Sequence, residues 1–391
     1  LTDVSSPLGL LTVVDRPTVP IRLAPGLSFN ARHEPPEQLA GFTDADGKRA
    51  ITQYDGDRAS VAFLADVTAA LPYALLDQPD VLILGAGGGS DVLLALYHDA
   101  NHVDGVELNP RMTELVADTY AEFAGHLYDD PRVVLHAAEA RGYVAQNERR
   151  YDVVQIGLLE SFAAAGAGVQ ALNESYLYTV EAVREYLADL RPGGVVAITR
   201  WVKMPPRDSL KLVAIAIEAL EQEGEADPGS RIALIRSWNT VTLLIKSSGF
   251  LASEIDAIRE FARSRSFDTA YFPGITSADA NRYNLLDHSA LPLMDLCTEK
   301  GIGILGAGVY ATGILATGAR EGAKYRYRDA SPEILGRVRQ METICARFDV
   351  SLKAAALQFA LAHPAVCSLV LGMSTPQRIG DNIEVLNASI P

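Results

Sequence analysis

The chain has 391 residues, of which 48% are hydrophobic and 21% charged, and its formal net charge is −15. This length exceeds what one ordinary core accommodates and favours two or three domains of a globular protein. The negative charge repels nucleic acid and anionic membrane surfaces, which argues against both as partners, whereas a cationic substrate suits it.

The cysteines and the apolar runs bear on the compartment. Cys297, Cys345 and Cys367 show no CxxC spacing, so we expect neither a metal site nor a disulfide framework. We expect a reducing compartment, the cytoplasm. No apolar run reaches the roughly 18 to 20 residues that span a bilayer, and no signal segment opens the chain. The sequence begins at Leu1 rather than Met, so an anchor upstream stays an open alternative.

Residues 1–75 are predicted to form a small β-rich region. Leu10–Val14 and Ile51–Tyr54 are short strand-like runs in a segment rich in Pro and Gly. Asp44–Gly47 reads as a turn between two strands, because Asp and Gly tolerate the backbone conformations of tight turns.

Residues 76–285 are predicted to form a domain in which strands and helices alternate. Asn109 caps one helix with Pro110 in its first turn. Another helix is expected from Asn173 or Glu174 to Leu190, stopped by the segment 191–194. This alternation predicts an α/β fold, a Rossmann-like doubly wound parallel sheet. The five predicted parallel strands, followed by the two strands of a closing hairpin, are Val81–Leu84, Val103–Val106, Val133–Leu135, Val153–Ile156, Val195–Ile198, Arg231–Ile235 and Val241–Ile245.

Residues 286–391 contain further strand and helix patterns. Gly301–Leu305 and Cys367–Leu371 are predicted strands. One helix opens at Ser331, another opens at Ser351 and ends before Pro364, and a last one starts near Pro376. This material is too short for a complete barrel of about 250 residues. We therefore predict a partial (β/α) barrel fragment.

A glycine-rich turn and acidic residues at strand ends predict a nucleoside site. Gly85, Gly87 and Gly89 follow the first strand directly and let backbone amides approach a ligand, while the helix that follows adds positive potential. An acid at the second strand end can accept hydrogen bonds from ribose hydroxyls. A dinucleotide is the alternative, although the GxGxxG pattern fails at Ser90, whereas GxGxG is typical of S-adenosylmethionine binders. The predicted cofactor-binding set is Gly85, Gly87, Gly89, Asp91, Glu107, Glu139 and Ala140, with the last two on the adenine side.

Several motifs resemble the spermidine synthase family and its S-adenosylmethionine-dependent relatives, and the resemblance covers residues 1 to about 285. They are LGAGGGSDV (84–92), GVELNP (105–110), YDVVQIGLLES (151–161), ESYLYTVEAV (174–183) and RPGGVVAITRW (191–201), with SSPLGLLTVV (5–14) and RSFDTAYFPG (265–274) at the flanks. The resemblance implies a transferase that uses S-adenosylmethionine or its decarboxylated form with a small amine acceptor. A homodimer is compatible with it. Many relatives in this branch have membrane anchors before this point.

The chain departs from that family where its acceptor acids are expected. The family's fourth strand ends in Asp-x-x-Asp-Pro, and the corresponding positions here are Gly157 and Glu160. Gly88 replaces an Asp often present in the glycine turn. The candidate catalytic residues are therefore Glu160, Glu174 and Tyr178, and Trp201 is expected in the core. Because one carboxylate is missing, a methyltransferase of unknown acceptor, or a nucleoside-binding protein without polyamine chemistry, stays an alternative.

The C-terminal third resembles the last part of an aldo-keto reductase. The motifs are NRYNLLDHSAL (281–291), GIGILGAGVYATGILATG (301–318), SLKAAALQFALAHPAV (351–366) and LVLGMSTPQRIGDNIEVLN (369–387). The resemblance implies that Ser374, Arg378 and Asn382 correspond to contacts with the phosphate end of NADP. The catalytic first half of that barrel is missing, so we expect a fragment without reductase activity and do not expect NADP. An NADP-binding fragment without catalysis stays an alternative. A natural fusion and an artificial join both stay open.

Overall fold

The structure, a computed structural model, describes residues 1–15, 20–159, 176–202, 207–275, 284–373 and 375–390. They form two compact units, Leu1–Gly274 and Ile275–Pro391, which we call unit 1 and unit 2. The domain boundaries predicted near residues 75 and 285 remain predictions.

Unit 1 opens with a four-stranded antiparallel sheet, the N-terminal sheet. Its strands lie in chain order, with short turns from β1 to β2 and from β3 to β4 and a longer connection from β2 to β3. Asp44 and Ala45 both have positive φ, 49° and 61°, and form the tight turn predicted there. The strands are β1 (Thr2–Ser6), β2 (Gly9–Val14), β3 (Gln38–Thr43) and β4 (Asp46–Thr52).

In the described residues, eight further strands form the large sheet of unit 1. Five of them are parallel in the order β9-β8-β5-β6-β7, and β11, β10 and β12 continue the sheet antiparallel beyond β9. The predicted Rossmann-like doubly wound sheet is confirmed. Its strands are β5 (Asp80–Leu84), β6 (His102–Glu107), β7 (Val133–Ala137), β8 (Tyr151–Ile156), β9 (Leu190–Trp201), β10 (Ile232–Arg236), β11 (Thr240–Lys246) and β12 (Asp268–Tyr271).

The helices of unit 1 follow the strand ends. Asn109 caps α2 by accepting a hydrogen bond from the Arg111 amide at 3.2 Å, as predicted. Two 3₁₀-helices, Arg58–Asp66 and Thr68–Ala74, follow the N-terminal sheet and precede the large sheet along the chain. The α-helices are α1 (Ser90–Tyr97), α2 (Pro110–Glu114), α3 (Ala140–Gln146), α4 (Val180–Ala188), α5 (Arg207–Gln222) and α6 (Ala252–Ser264).

The core of unit 1 lies on the buried strands. β5 is buried at all five positions, as expected of a parallel strand covered on both faces. Leu82, Ile156 and Ile198 pack with Tyr186 of α4 in one hydrophobic cluster. The chain builds outward from β5 through β6 and β7, then returns to place β8 on the other side of β5. The carboxyl ends of β5 and β8 therefore flank the point where such sheets bind ligands.

A buried carboxylate joins three strands of the large sheet, β6, β7 and β8. Asp104 is 5% exposed, and its Oδ1 lies 2.7 Å from Nε2 of His136. Its Oδ2 lies 2.9 Å from Nε2 of His102 and accepts a hydrogen bond from the Tyr151 hydroxyl at 3.0 Å. Burial opposes the charge, but the hydrogen bonds with His136, Tyr151 and His102 hold the pKa of Asp104 below its ordinary value.

Unit 2 is a βα fragment. β13 pairs with β16 in parallel, and Leu286, Leu315 and Val338 belong to a separate core beside them. Within the described residues no barrel closes. Its elements are α7 (Leu291–Glu299), β13 (Ile304–Ala307), α8 (Ile314–Thr317), β14 (Lys324–Tyr325), β15 (Arg328–Asp329), α9 (Pro332–Arg347), α10 (Leu352–Leu361), β16 (Val366–Val370) and α11 (Pro376–Leu386). In neither unit does a described helix combine the length and apolarity needed to cross a membrane.

Three sequence predictions need correction. Residues 173 and 174, where a helix to Leu190 was expected to begin, lie outside the described residues. The helix observed in this segment is α4, Val180–Ala188, which begins there because Thr179 is extended and its hydroxyl caps the helix. Residues 191–194, expected to stop that helix, belong to β9. The strand expected from Gly301 begins at Ile304. The sequence analysis also missed β1, β3 and β12, whose short mixed patterns lack a clear apolar alternation.

A chain ending at Gly274 is expected to fold on its own, because the large sheet and its core lie within unit 1. Its unfolding in urea, followed by circular dichroism, should be cooperative, with an ordinary free energy of about 5–15 kcal/mol. An insoluble or unfolded product, beside a well-folded full-length chain, would show that unit 2 is required.

Candidate nucleoside site

A cavity of about 460 Å³ lies at the carboxyl ends of β5 and β8. Its size is within the range of small-molecule sites, roughly 300–1,000 Å³. One side is formed by the glycine turn, Glu107 and the end of β8, and the other by the N-terminal sheet and the 3₁₀-helices that follow it. The lining includes Phe42, Arg49, Thr52, Asp91, Gly157 and Trp201.

The glycine turn is held by its own backbone. The amides of Gly85 and Ala86 both donate to the carbonyl oxygen of Val106, at 2.8 and 3.0 Å. The buried Tyr128 hydroxyl donates to the carbonyl oxygen of Gly87 at 3.1 Å. The turn is thereby fixed before a ligand arrives, which lowers the entropic cost of binding.

The turn requires glycine for two reasons. Gly85 and Gly89 have φ of 93° and 88°, a region that side chains disfavour. Gly88 has an ordinary φ, but a Cβ there would lie 2.5 Å from the carbonyl oxygen of Ala50 in β4. The N-terminal sheet therefore occupies the space where residue 88 would carry an acid.

Glu107 faces the turn from the end of β6. Its Oε2 accepts from the Gly87 amide and its Oε1 from the Asn109 amide, both at 2.9 Å. Each carboxylate oxygen has a second lone pair for another donor. The carboxylate is thus fixed at the cavity with acceptor capacity left, as recognition of two adjacent hydroxyls requires.

Asp91, in the first turn of α1, also lines the cavity. Its Oδ1 accepts a hydrogen bond of 2.6 Å from Nε2 of Gln155. Burial raises the pKa of Asp91 to about 6, although the hydrogen bond from Gln155 opposes that change.

The opposite wall was not predicted from the sequence. Phe42 reaches the cavity from β3, which was not predicted, and Arg49 and Thr52 reach it from β4, whose pattern predicts a strand but not what it covers. Trp201, expected in the core, is half-buried and lines the cavity. The close contact between Gly88 and Ala50 is the feature that brings this wall to the site.

The structure places Glu139 and Ala140 at the start of α3. The carboxylate of Glu139 caps that helix by accepting from the amides of Arg141 and Gly142, at 3.0 and 2.7 Å. Glu139 lines a second, more open depression beside α3 and not the cavity described above. Its place on the adenine side stays a prediction.

Of the three predicted catalytic residues, the structure describes one. Glu160 and Glu174 lie outside the described residues. Tyr178 is 8% exposed and belongs to the hydrophobic cluster of the large sheet. The guanidinium carbon of Arg200 lies 4.1 Å from the centre of its ring. A catalytic role for each of the three stays a prediction.

The predicted phosphate contacts of unit 2 are described in part. Ser374 lies outside the described residues. Arg378 and Asn382 lie one turn apart on α11. Asn382 is 7% exposed, and its Oδ1 accepts from the Tyr310 hydroxyl at 3.1 Å. Arg378 is exposed. A phosphate-binding role for these residues, and the absence of NADP, stay predictions.

Comparison with known proteins divides the chain into two parts. Residues 244–391 match the model of the aldo/keto reductase family. This matched segment begins earlier than residue 281, where the motifs placed the start of the resemblance. Pyridoxal 4-dehydrogenase of Microbacterium luteolum is 34% identical over 148 residues, 38% of this chain and 41% of that protein. Polyamine aminopropyltransferase 2 of Pseudomonas aeruginosa is 34% identical over 124 residues, 31% of this chain and 34% of that protein.

Solved structures offer a further comparison. Spermidine synthase from Thermotoga maritima is similar with a TM-score of 0.42 at 15% identity, covering 70% of this chain and 80% of that one. The chain spans about two fifths of the length of the dehydrogenase and one third of the curated transferase. The two-part resemblance, to spermidine synthases and to aldo-keto reductases, is confirmed.

Proposed function

We propose that unit 1 is a polyamine aminopropyltransferase-like enzyme. It would bind the adenosine part of decarboxylated S-adenosylmethionine and transfer an aminopropyl group to a small amine. One observation carries the proposal: the fixed glycine turn and the Glu107 carboxylate meet in one cavity at the switch point of a doubly wound sheet.

The cavity fits such a substrate. A ribose can donate its two hydroxyls to Glu107, while the methionine-derived arm would lie along the glycine turn, beside the side chains of Leu159 and Arg49. Adenine would extend toward the Glu139-Ala140 side. The formal net charge of −15 favours a cationic acceptor.

The reaction needs orientation more than covalent help from the protein. The acceptor nitrogen bonds to the aminopropyl carbon, and the bond from that carbon to sulfur breaks. The sulfur keeps the electron pair and leaves as the neutral thioether methylthioadenosine, while the nitrogen loses a proton to a base. Glu160, Glu174 and Tyr178 are proposed to contact the amine.

The test of the proposed function is turnover. The full-length chain is incubated with decarboxylated S-adenosylmethionine and putrescine, and both spermidine and methylthioadenosine are quantified by mass spectrometry. Equal amounts of the two products support the proposal. Binding of methylthioadenosine without turnover of putrescine or any other tested diamine would leave a nucleoside-binding protein and contradict the transferase.

A second candidate, a methyltransferase of unknown acceptor, is favoured by Arg49. Its side-chain stem would lie 3.4 Å from a Cβ on Gly87, so it packs against the glycine turn. Its Nη1 donates to the Thr43 hydroxyl at 2.9 Å, and it forms no ion pair with a carboxylate of the described residues. A cation there suits the carboxylate that S-adenosylmethionine has and its decarboxylated form lacks.

Arg49→Met is expected to weaken S-adenosylmethionine binding about tenfold, which corresponds to about 1.4 kcal/mol. Affinity for the decarboxylated form should change less than threefold, because the lost partner is a carboxylate. Isothermal titration calorimetry with both ligands measures this, and Arg236→Met, an exposed ion-paired arginine of β10 outside the cavity, is the control. Equal losses for both ligands would remove Arg49 from carboxylate recognition. A wild-type preference for S-adenosylmethionine would favour the methyltransferase.

For unit 2 we propose no chemistry. The similarity to aldo/keto reductases leaves an NADP-binding fragment without catalysis as the alternative for unit 2, with Arg378 and Asn382 of α11 as its described candidate contacts. A cytoplasmic homodimer remains our proposal for location and assembly.

A further inference from the structure

The end of β8 lacks a side chain where the cavity would receive one. Gly157 directly follows that strand and lines the cavity. A Cβ on residue 157 would lie 2.1 Å from Oδ2 of Asp91. Because two groups cannot share this space, the carboxyl group of Asp91 stands where a side chain of residue 157 would begin.

The orientation of the Asp91 carboxyl group is set by a buried relay. The Tyr73 hydroxyl donates to Oε1 of Gln155 at 2.7 Å, which turns the Gln155 amide nitrogen toward Oδ1 of Asp91. Gln155 is 2% exposed and Tyr73 9% exposed. Oδ2 has no hydrogen-bond partner among the described residues. One oxygen is thus held from behind, and the other faces the cavity.

We propose that Asp91 binds the acceptor amine and takes up its proton, and that it does so from the position that a side chain at residue 157 would otherwise occupy. This inference rests on the proposed transferase function. In the step, the new nitrogen–carbon bond forms as the carbon–sulfur bond breaks. The proton released from nitrogen moves to Oδ2 of Asp91 and later to solvent.

The environment of Asp91 suits a proton acceptor that works near neutral pH. Since burial raises the pKa of Asp91 to about 6, the group is ionised at pH 7.5 and still basic enough to hold a proton transiently. Tyr73 and Tyr128 stay neutral because burial raises the pKa of each phenol far above its ordinary value. The charged groups that line the same cavity are Glu107 from β6 and Lys48 and Arg49 from β4.

The experiment compares the full-length wild type with Asp91→Asn and with the double variant Asp91→Ala/Gly157→Asp. The double variant moves the carboxyl group from α1 to the end of β8 without adding a second acid. We expect Asp91→Asn to lower kcat for putrescine at least 100-fold while methylthioadenosine affinity stays within threefold. We expect kcat of the double variant to be at least tenfold higher than that of Asp91→Asn. The control is Asp118→Asn, which removes the same negative charge at an exposed position.

A second readout is binding of putrescine to protein saturated with methylthioadenosine, measured by calorimetry at several pH values. Affinity in the wild type should fall below pH 6, and in Asp91→Asn it should be at least tenfold lower at pH 7.5 and lose that dependence. If the wild type turns over and Asp91→Asn matches it in turnover and binding, the inference is overturned while the transferase stands. If the wild type binds putrescine through Asp91 but makes no product, the transferase fails while the amine site stands. If the wild type neither binds nor turns over amines, both fall.

Discussion

Glu107→Ala is expected to weaken methylthioadenosine binding by roughly 100- to 1,000-fold. The variant loses two hydrogen bonds from ribose to a charged acceptor, each worth about 1.5–3 kcal/mol. It also releases the amides of Gly87 and Asn109, which hold the carboxylate at 2.9 Å. Isothermal titration calorimetry measures the loss, and Glu122→Ala, an exposed residue outside the cavity, should bind as the wild type does.

A ligand without the 2′-hydroxyl isolates the contact with ribose. The wild type should bind 2′-deoxymethylthioadenosine at least tenfold more weakly than methylthioadenosine. Glu107→Ala should bind the two ligands equally, because the acceptor of that hydroxyl is gone. An unchanged preference in Glu107→Ala, or a loss below threefold for the intact ligand, would place the ribose elsewhere.

Asp104→Ala is expected to destabilise unit 1 by about 3–5 kcal/mol, since removing one partner of a buried charged network leaves the others without their acceptor. His102, His136 and Tyr151 all contact this one carboxylate. Tyr151→Phe keeps the carboxylate and removes only the hydroxyl, which donates to Asp104 and lies 3.5 Å from the Tyr143 hydroxyl, so it should cost about 1 kcal/mol. Urea unfolding at pH 7.5 measures both, with Asp118→Ala as the exposed control.

The contribution of Asp104 to the free energy of unfolding should decrease at low pH. Its hydrogen bonds hold the pKa of the folded state below the ordinary value of 3.8. The unfolded chain therefore binds more protons below about pH 4. The stabilisation is complete above that pH and is lost as the pH falls through the folded-state pKa. A difference between wild type and Asp104→Ala that stays constant from pH 7 to pH 3.5 would contradict this account.

The sequence predicted the parts of the site that follow directly from strand ends. The glycine turn after β5 and Glu107 after β6 are local features, since parallel strands bring their carboxyl ends to one edge. Motifs also predicted the two-part chain. The bounds of α4 were missed because the hydroxyl of Thr179 caps the helix later than the pattern suggests. Arg49 and Phe42 were missed because nothing in a short antiparallel strand indicates which distant turn it covers.

The environment of Asp91 was also beyond the sequence. Its place in the first turn of α1 was predicted, but its proximity to Gly157 depends on two segments 66 positions apart in the numbering. That proximity changes the meaning of the missing acid at residue 157. What the motif alone presents as a lost carboxylate is, in three dimensions, a carboxyl group contributed by another element.

The contact between Gly88 and the carbonyl of Ala50 divides the cavity by origin. Glu107 and the glycine turn belong to the large sheet, and the facing wall includes a hairpin that folds from a separate stretch of chain. Under the proposed function, substitutions in this hairpin are expected to alter the acceptor side of the cavity beside Asp91, while Glu107 and the glycine turn keep their arrangement. A combinatorial library restricted to Phe42, Lys48 and Thr52 would exploit that modularity.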